Sequence, residues 1–321
     1  MAEPAIIATD LRRTFTVRSG GLLRPKRRTV PAVDGLSLHV DAGERVAFIG
    51  PNGAGKSTSI RILTGILEPT SGTAQVLGLT PWRQRLQLAH QISTIFGQRS
   101  QLIPDLPAGR SFALMGRIYG LADAEFTRRR DHLCDLLGCA EVLDQPVRHL
   151  SLGQRMRCEL VASLLHQPRV LFLDEPTIGL DLVAKRVLRE LILKLNAEHD
   201  LTVLLTSHDV ADIESVAERV IIIDHGQSVF DGSVDELRRE HLQTRHVRVV
   251  FADEQAPPES VDACTLLVAT PTELELHVDT SQRRIGDVLN ELVAHRTIED
   301  IAISEPALEN VIGHIYARGA R

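Results

Sequence analysis

The chain has 321 residues, of which 43% are hydrophobic and 24% are charged, and its net charge is −6. This composition is typical of a globular protein, and the length allows two domains of ordinary size. Because there is no basic excess, nothing favours a nucleic acid as a partner. No apolar run approaches the roughly 18 residues that span a bilayer, and the first residues do not resemble a signal peptide. We therefore expect any membrane role to depend on a partner.

Short apolar strands alternate with helical patterns along the first part of the chain, which predicts an α/β fold with a largely parallel sheet. The predicted strands cover residues 45–50, 170–173, 201–206 and 220–224. Because residues 170–173 are apolar without interruption, we expect both faces of that strand to be buried. A Leu- and Arg-rich stretch interrupted by prolines begins at residue 99. It predicts an inserted helical subdomain over about residues 99–165.

The last quarter of the chain differs in composition, because residues 241–321 hold 13 acidic and 7 basic side chains whereas the preceding residues are balanced in charge. Alternating apolar residues predict strands and amphipathic periodicity predicts helices. The predicted elements are strands around residues 247–251 and 274–278 and helices over residues 285–293 and 308–316. We therefore predict a first domain over residues 1–240 and a small α+β domain after it.

The strand at residues 45–50 runs into the segment GPNGAGKS, which fits the GxxxxGK[ST] phosphate loop at every fixed position. Glycines let such a loop turn its backbone N–H groups toward phosphate oxygens, and the helix that follows adds the positive end of its dipole. Lys56 then reaches the β- and γ-phosphates, and the Ser57 hydroxyl binds Mg²⁺. The sequence thus predicts a site for a nucleoside triphosphate with Mg²⁺.

Two further motifs supply polar groups at the ends of predicted elements. Asp174 and Glu175 follow a buried strand, where an aspartate can hold Mg²⁺ and its neighbouring glutamate can polarise an attacking water. Ser151, in the segment LSLGQ, is placed to cap a helix, and Gly153 allows close backbone approach. A capped helix start of this kind predicts a second anion-binding helix end.

In their order and spacing these motifs resemble those of the ATP-binding subunits of ABC transporters, and the resemblance covers residues 5 to about 240. The matching segments are GPNGAGKST (50–58), the glutamine of IFGQ (Gln98), LSLGQ (150–154), VLFLDE (170–175), Gly179-Leu-Asp181 and Ser207-His208. One position departs from the family's commonest signature motif, LSGGQ, because Leu152 replaces a glycine. The resemblance implies a P-loop NTPase fold of ABC type with an inserted helical subdomain.

The resemblance also implies roles for individual residues. Those expected to bind ATP are Phe15, Gly50, Asn52, Gly53, Ala54, Gly55, Lys56, Ser57, Thr58, Ser151, Gly153, Gln154 and Asp181. Those expected to take part in hydrolysis are Lys56, Gln98, Glu175 and His208. Those expected to hold Mg²⁺, directly or through water, are Ser57, Gln98 and Asp174. In this scheme Phe15 stacks on adenine, Glu175 acts as the general base or orients water, and His208 contacts the γ-phosphate.

Members of this family work as a sandwich dimer, so the resemblance implies that Ser151 and Gly153 act on the ATP bound by a second nucleotide-binding subunit, most simply another copy of this chain. It also implies a separate membrane-spanning subunit and a place at the cytoplasmic face of the cell membrane. The segment FGQRSQLIPDLP and the signature LSLGQRMR resemble the branch that extrudes drugs, antibiotics and sodium. An exporter ATPase is therefore our first expectation.

Three other classes of ATPase or GTPase share some of these motifs. An importer ATPase carries the same motifs and remains an alternative. A small-molecule kinase or GTPase shares the phosphate loop but does not explain LSLGQ or the Gly179-Leu-Asp181 segment. ABC ATPases of chromosome cohesion and DNA repair have long coiled coils between phosphate loop and signature, whereas Lys56 and Ser151 lie only 95 residues apart here, without a heptad run.

Overall fold

The computed structural model describes residues 4–19, 26–96, 100–241, 244–258, 260–280 and 282–304. Gln98 and the helix predicted at 308–316 lie outside the described residues. The chain divides into two compact units between Gly232 and Ser233. The domain boundary predicted at residue 240 falls near the end of the helix Val234–His241, which this division assigns to the second unit.

The strands, in chain order, are β1 (Pro4–Ser19), β2 (Lys26–Asp41), β3 (Arg45–Ile49), β4 (Ser71–Val76), β5 (Ile92–Phe96), β6 (Val170–Asp174), β7 (Thr202–Thr206), β8 (Arg219–Asp224), β9 (Gln227–Ser233), β10 (Thr244–Phe251), β11 (Cys264–Ala269), β12 (Glu273–Asp279) and β13 (Ile298–Ser304). The α-helices are α1 (Lys56–Leu63), α2 (Arg85–Ala89), α3 (Ala108–Ile118), α4 (Asp123–Leu137), α5 (Leu152–Leu164), α6 (Leu182–His199), α7 (Val210–Val216), α8 (Val234–His241) and α9 (Ile285–His295). The described strands form three sheets.

The central sheet of the first unit has the strand order β5-β6-β7-β3-β8-β9 among the described residues. Strands β5, β6, β7, β3 and β8 pair in parallel. Residues 170–173 and all of β7 are buried, because helices cover both faces of a parallel sheet. The predicted strands and the α/β fold class are therefore confirmed.

A second sheet in the first unit is antiparallel and has the order β2-β1-β4. Its buried residues, such as Ile6 and Leu36, join one core with Phe48, Ile60 and Phe172 of the central sheet and α1. This shared core fixes the antiparallel hairpin against the helix that follows the phosphate loop.

The helical insertion predicted over about residues 99–165 contains α3, α4 and α5. Phe112 on α3, Leu133 on α4 and Leu160 on α5 are buried in one core with Leu171 of β6. The helical insertion is therefore packed against the central sheet, and α5 carries the LSLGQ segment at its start.

The second unit contains an antiparallel sheet with the order β11-β12-β10-β13 and the helix α9. Alternate residues of its inner strands, including Val247, Val249, Leu274 and Leu276, are buried together with Val288 of α9. This is the small α+β arrangement predicted for the end of the chain. No described helix of either unit is long and apolar enough to cross a bilayer.

Candidate nucleotide-binding site

The predicted motifs converge because three neighbouring parallel strands end at the same edge of the sheet. The phosphate loop follows β3. Asp174 is the last residue of β6 and Glu175 comes directly after it, and Ser207 and His208 follow β7. The register pairs Asp174 directly with Thr206. Ligands of open α/β sheets bind at the carboxyl ends of the strands, and here those ends carry a cation, two carboxylates and a histidine.

The phosphate loop can take its shape only with glycine at two positions. Gly55 has a φ of +105°, and a Cβ atom there would lie 2.3 Å from the carbonyl oxygen of Ala32. A Cβ atom at Gly50 would lie 2.3 Å from the carbonyl oxygen of Ile223. Real Cβ atoms do not approach backbone oxygen this closely, so both glycines let β2 and β8 press directly against the loop.

The rest of the loop is fixed by its backbone and leaves its outer side open. The N–H of Gly226 donates to the carbonyl oxygen of Ala54 at 2.9 Å, which holds the buried side of the loop. Asn52 and Gly53 are exposed, and Gly53 has a φ of +89°. Helix α1 begins at Lys56 without a side-chain cap. The first-turn N–H groups of a helix have no partner within the helix, so this helix start can bind an anion.

Lys56 is buried at the base of the loop. Its Nζ donates hydrogen bonds to the carbonyl oxygens of Gly50, at 2.6 Å, and Pro51, at 3.3 Å. Burial lowers the pKa of Lys56, and the charges of Glu175 and Asp174 oppose that effect. The ammonium group is thus held inside the loop, close enough to both carboxylates to feel their charge.

Asp174 and Glu175 are both held by Thr206. The Thr206 hydroxyl donates to Oδ1 of Asp174 at 2.8 Å, and the N–H of Glu175 donates to Oγ1 of Thr206 at 3.0 Å. The backbone of Glu175 is left-handed, with a φ of +57°. Strained conformations of this kind persist where the surrounding structure holds them, commonly at functional sites. Sequence reasoning did not identify Thr206, although it ends the strand next to Asp174.

The side chain of Glu175 contacts His208. Oε1 of Glu175 lies 3.0 Å from Nε2 of His208, and the Glu175 side chain is 17% exposed whereas that of His208 is 50% exposed. Burial raises the pKa of Glu175, while the charges of His208 and Lys56 act in the opposite direction. A carboxylate of raised basicity beside a histidine is an arrangement that can accept a proton from, or orient, a water molecule.

The buried carboxylate of Asp212, on α7, connects two segments of the site. One contains Thr177, which follows Glu175, and the other contains Ser207, which precedes His208. Asp212 accepts hydrogen bonds from Oγ1 of Thr177 at 2.6 Å and from Oγ of Ser207 at 2.8 Å. Nη2 of Arg189, on α6, lies 2.5 Å from Oδ1 of Asp212. This network was missed at the sequence level, because the sequence places Asp212 in the first turn of a helix but does not show that it is buried.

Ser151 caps α5 as predicted. Its Oγ accepts from the N–H of Gln154 at 3.2 Å, and Oε1 of Gln154 accepts from the N–H of Ser151 at 2.9 Å, which is a capping box. Ser151 is exposed. The described hydrogen bonds of Ser151 and Gln154 stay within their own helix start, so the described structure does not join them to the residues around Lys56.

The start of α6 lies beside the start of α5. Asp181 is the N-cap of α6, because its Oδ1 accepts from the N–H of Ala184 at 2.7 Å. A Cβ atom at Gly153 would lie 3.6 Å from Cβ of Ala184, and a Cβ atom at Gly179 would lie 2.7 Å from Cδ2 of Leu152. The structure therefore brings Ser151, Gly153, Gln154 and Asp181 into a second group, separate from the phosphate loop.

Phe15 lies on β1, where it pairs with Val30 of β2. The guanidinium of Arg13 lies 4.9 Å from the centre of its ring. Since Ala32, two residues beyond Val30, contacts the phosphate loop at Gly55, this part of the hairpin borders the nucleotide-binding loop. Phe15 is half-buried, so part of its surface remains accessible.

The described residues fit a Mg²⁺ ion that is bound together with phosphates. No group of three or more His, Cys, Asp or Glu side chains suited to a metal occurs among them. Mg²⁺ commonly takes one or two carboxylates, keeps several waters and uses substrate phosphate oxygens as its other ligands. Asp174, oriented by Thr206, and the Ser57 hydroxyl offer hard oxygen donors of that kind. Gln98, the third predicted ligand, lies outside the described residues.

A protein-family model described as "ABC transporter" matches residues 33–178. The chain is 31% identical over 232 residues to the ABC transporter ATP-binding protein NatA of Bacillus subtilis, covering 72% of this chain and 91% of that protein. It is 30% identical over 304 residues to the daunorubicin/doxorubicin resistance ATP-binding protein DrrA of Streptomyces peucetius, covering 93% and 91%.

Solved structures show the same likeness. The chain is similar to an ATP-binding subunit of an ABC transporter, with 28% identity and a TM-score of 0.63, over 74% of this chain and 92% of that one. A dimeric ATP-binding cassette, MJ0796, bound to ADP and phosphate after hydrolysis has a TM-score of 0.62 at 23% identity, over 71% and 98%. The second likeness concerns the fold alone.

Proposed function

We propose that this chain, which belongs to the ABC transporter family as an ATP-binding and ATP-hydrolysing subunit, energises the export of a drug, an antibiotic or another small molecule through a separate membrane-spanning subunit. The observation that carries the hydrolytic part is the contact between Glu175 and His208 beside the buried Lys56. These groups stand at the carboxyl edge of the sheet, where the phosphate loop begins.

In the proposed mechanism, the loop at residues 50–58 binds the phosphates of ATP. Backbone N–H groups at the start of α1 and the Lys56 ammonium neutralise phosphate charge, and Phe15 stacks on adenine. Lys56 exchanges its hydrogen bonds to loop carbonyls for phosphate oxygens. Ser57, Gln98 and Asp174 would hold a Mg²⁺ ion, which would neutralise phosphate charge.

Glu175 orients or deprotonates the attacking water, and His208 contacts the γ-phosphate. The raised pKa of Glu175 favours proton acceptance compared with an ordinary exposed carboxylate. Thr206 fixes the Glu175 backbone, and Asp212 holds the segments on either side of the contact between Glu175 and His208. Phosphoryl transfer depends mainly on such positioning and charge neutralisation.

We further propose that two nucleotide-binding subunits share each ATP. Ser151 is exposed at a helix start, and apolar side chains around it are exposed as well. These residues are Leu152, Ile178, Leu182 and Val183, of which Leu182 is 84% exposed. Exposed apolar side chains next to a polar helix start suit a surface that is covered by another subunit. A second copy of this chain is the simplest partner.

The proposed membrane subunit docks on the helical insertion at the cytoplasmic face of the cell membrane. Apolar side chains are exposed there, both before α3 and on it. They are Ile103, Leu106, Leu114 and Ile118, of which Ile118 is 58% exposed. Side chains of this kind on an inserted subdomain can receive a helix from another polypeptide. An importer ATPase would use the same surface, and the choice of export rests on the likeness to resistance proteins.

A transport assay tests the export proposal. The chain would be expressed with the membrane protein that co-purifies with it, and daunorubicin efflux would be measured in inverted membrane vesicles supplied with ATP. We expect ATP-dependent uptake into the vesicles that disappears with Lys56→Ala. Cargo movement in the opposite direction would favour import, and ATPase activity without any co-purifying membrane protein would count against a transporter.

A further inference from the structure

A cavity of about 580 Å³ lies in the first unit, away from the phosphate loop. Part of its lining comes from residues at which strands begin: Arg169 precedes β6, and Leu201 and Thr202 lie at the start of β7. In a parallel sheet the starts and the ends of the strands lie at opposite edges. The cavity therefore lies at the edge opposite the nucleotide-binding site, and none of the residues assigned to ATP lines it.

The inner wall of this cavity is apolar and belongs to the core. Leu133 of α4, Leu164 of α5, Leu195 of α6 and Leu201 line it, and each is buried in the protein. A volume of this size lies within the range of sites that bind drug-sized molecules, roughly 300–1,000 Å³. The wall therefore offers a place for an apolar body of several carbon atoms.

The mouth of the cavity is cationic. Arg128, Arg129 and Arg169 line it, against a single lining carboxylate, that of Asp200. Arg129 is held by the carboxylate of Glu125 and by the carbonyl oxygen of Leu165. Within the described part of the chain, Arg128 and Arg169 form no ion pair.

The turns beside the mouth end secondary structure elements. Leu77, Gln167 and Asp200 line the cavity and have left-handed backbones, with φ of 52°, 55° and 55°. Asp200 is the C-cap of α6, and a left-handed residue commonly ends a helix. Leu77 directly follows β4, and Gln167 lies just after α5.

We propose that this cavity binds a small amphipathic anion, whose apolar body lies against the leucines and whose carboxylate, sulfate or phosphate group pairs with Arg128 and Arg169. The combination of an apolar inner wall and two arginines without ion-pair partners in the described structure selects this class. A purely apolar molecule would make no use of the two positive charges, and a small inorganic anion would not reach the leucines.

Isothermal titration calorimetry of the full-length chain with dodecanoate, below the concentration at which it forms micelles, tests the proposal. We expect the double variant Arg128→Ser/Arg169→Ser to bind dodecanoate at least about tenfold more weakly, because it removes both cations that pair with the carboxylate. The matched control is Arg117→Ser, which removes an exposed arginine of α3 that does not line the cavity; its affinity should equal that of the unmodified protein. All proteins should bind ATP equally, which checks that they are folded and keeps this test separate from the proposed transport function.

Further arms of the same titration decide the ligand class and the place. Butanoate keeps the carboxylate and lacks the long chain, so it should bind much more weakly than dodecanoate. Saturating ATP should leave dodecanoate binding unchanged. Equal binding by the arginine double variant, equal binding of butanoate, displacement by ATP, or no binding of dodecanoate at all would each overturn the proposal.

Discussion

The side chain of Leu152, the third residue of the LSLGQ segment, covers the backbone of Gly179. Cδ2 of Leu152 lies 2.7 Å from the place where a Cβ atom at Gly179 would stand, and Gly179 has a φ of +75°. The leucine that replaces a glycine of the family's commonest signature therefore fills space that Gly179 leaves open. These two positions depend on each other.

We expect Gly179→Ala to lower the free energy of unfolding by about 1–3 kcal/mol, mainly because the alanine takes a left-handed backbone, and in part because the partly exposed Leu152 side chain has to move away from the methyl group. In a Leu152→Gly background the same substitution should cost about 0.5–1 kcal/mol less, because the contact is absent. A double-mutant cycle measured by urea denaturation gives the coupling energy. Additive effects of the two substitutions would show that Leu152 and Gly179 are independent.

Glu175→Gln should keep ATP binding close to that of the unmodified protein and slow hydrolysis by about 10²–10⁴-fold. The amide preserves the size of the side chain but cannot accept a proton from water. Steady-state ATPase activity and equilibrium binding of ATP measure the two effects separately. Near-normal turnover in this variant would remove Glu175 from the mechanism.

The pH dependence of hydrolysis should report the environment of Glu175. Since burial raises the pKa of Glu175, the acid limb of the rate should lie above the ordinary glutamate value of about 4.3. His208 lowers that pKa, so the residual activity of His208→Ala should have an acid limb shifted to higher pH. His39→Ala, which removes an exposed histidine paired with Asp41, serves as the control and should leave the limb in place. A shift of the acid limb to lower pH in His208→Ala would contradict the statement that His208 lowers the pKa of Glu175.

If two subunits share each site, mixing Lys56→Ala protein with Ser151→Arg protein should restore part of the ATPase activity. In the mixed dimer one site combines an intact phosphate loop with an intact Ser151. The prediction rests on Ser151, which is exposed and whose described hydrogen bonds stay within its own helix start. Ser151 can therefore contact another subunit. Once mixed dimers are shown to form by native mass spectrometry, activity equal to the sum of the separate variants would argue for sites within single subunits.

Asp212→Asn should destabilise the first unit by about 3 kcal/mol, because it leaves the Arg189 charge without its buried carboxylate partner. Unfolding in urea, followed by circular dichroism, measures the loss. Glu190→Gln is the matched control on α6, since it breaks the exposed ion pair between Arg186 and Glu190, and it should change stability by less than about 1 kcal/mol. Equal losses in the two variants would mean that Asp212 is no more important than a surface charge.

Much of the fold could be predicted because it follows from local patterns. The apolar run before Asp174 predicted a strand buried on both faces, and the position of Ser151 predicted the start of α5. Both depend on the period of apolar residues and on capping chemistry, which neighbouring residues determine. The convergence of the phosphate loop with Glu175 and His208 could be expected because parallel strands share an edge.

Other features could not be predicted because they depend on contacts between distant segments. Asp212 lies in the first turn of a short helix, where an aspartate is ordinarily exposed, and only the packing of α6 and α7 buries it. The contact of Leu152 with Gly179 joins two turns that are far apart in sequence. The cavity lined by Arg128 and Arg169 likewise forms between elements that no local pattern relates.

The left-handed backbone of Glu175 has a consequence for any selection that acts on folding alone. Glycine and asparagine adopt that conformation more readily than glutamate does, so replacing Glu175 with either relieves a strain of about 1–3 kcal/mol and removes the carboxylate. If Glu175 acts on water as we propose, a screen that scores heat resistance alone would then also enrich chains that hydrolyse ATP slowly.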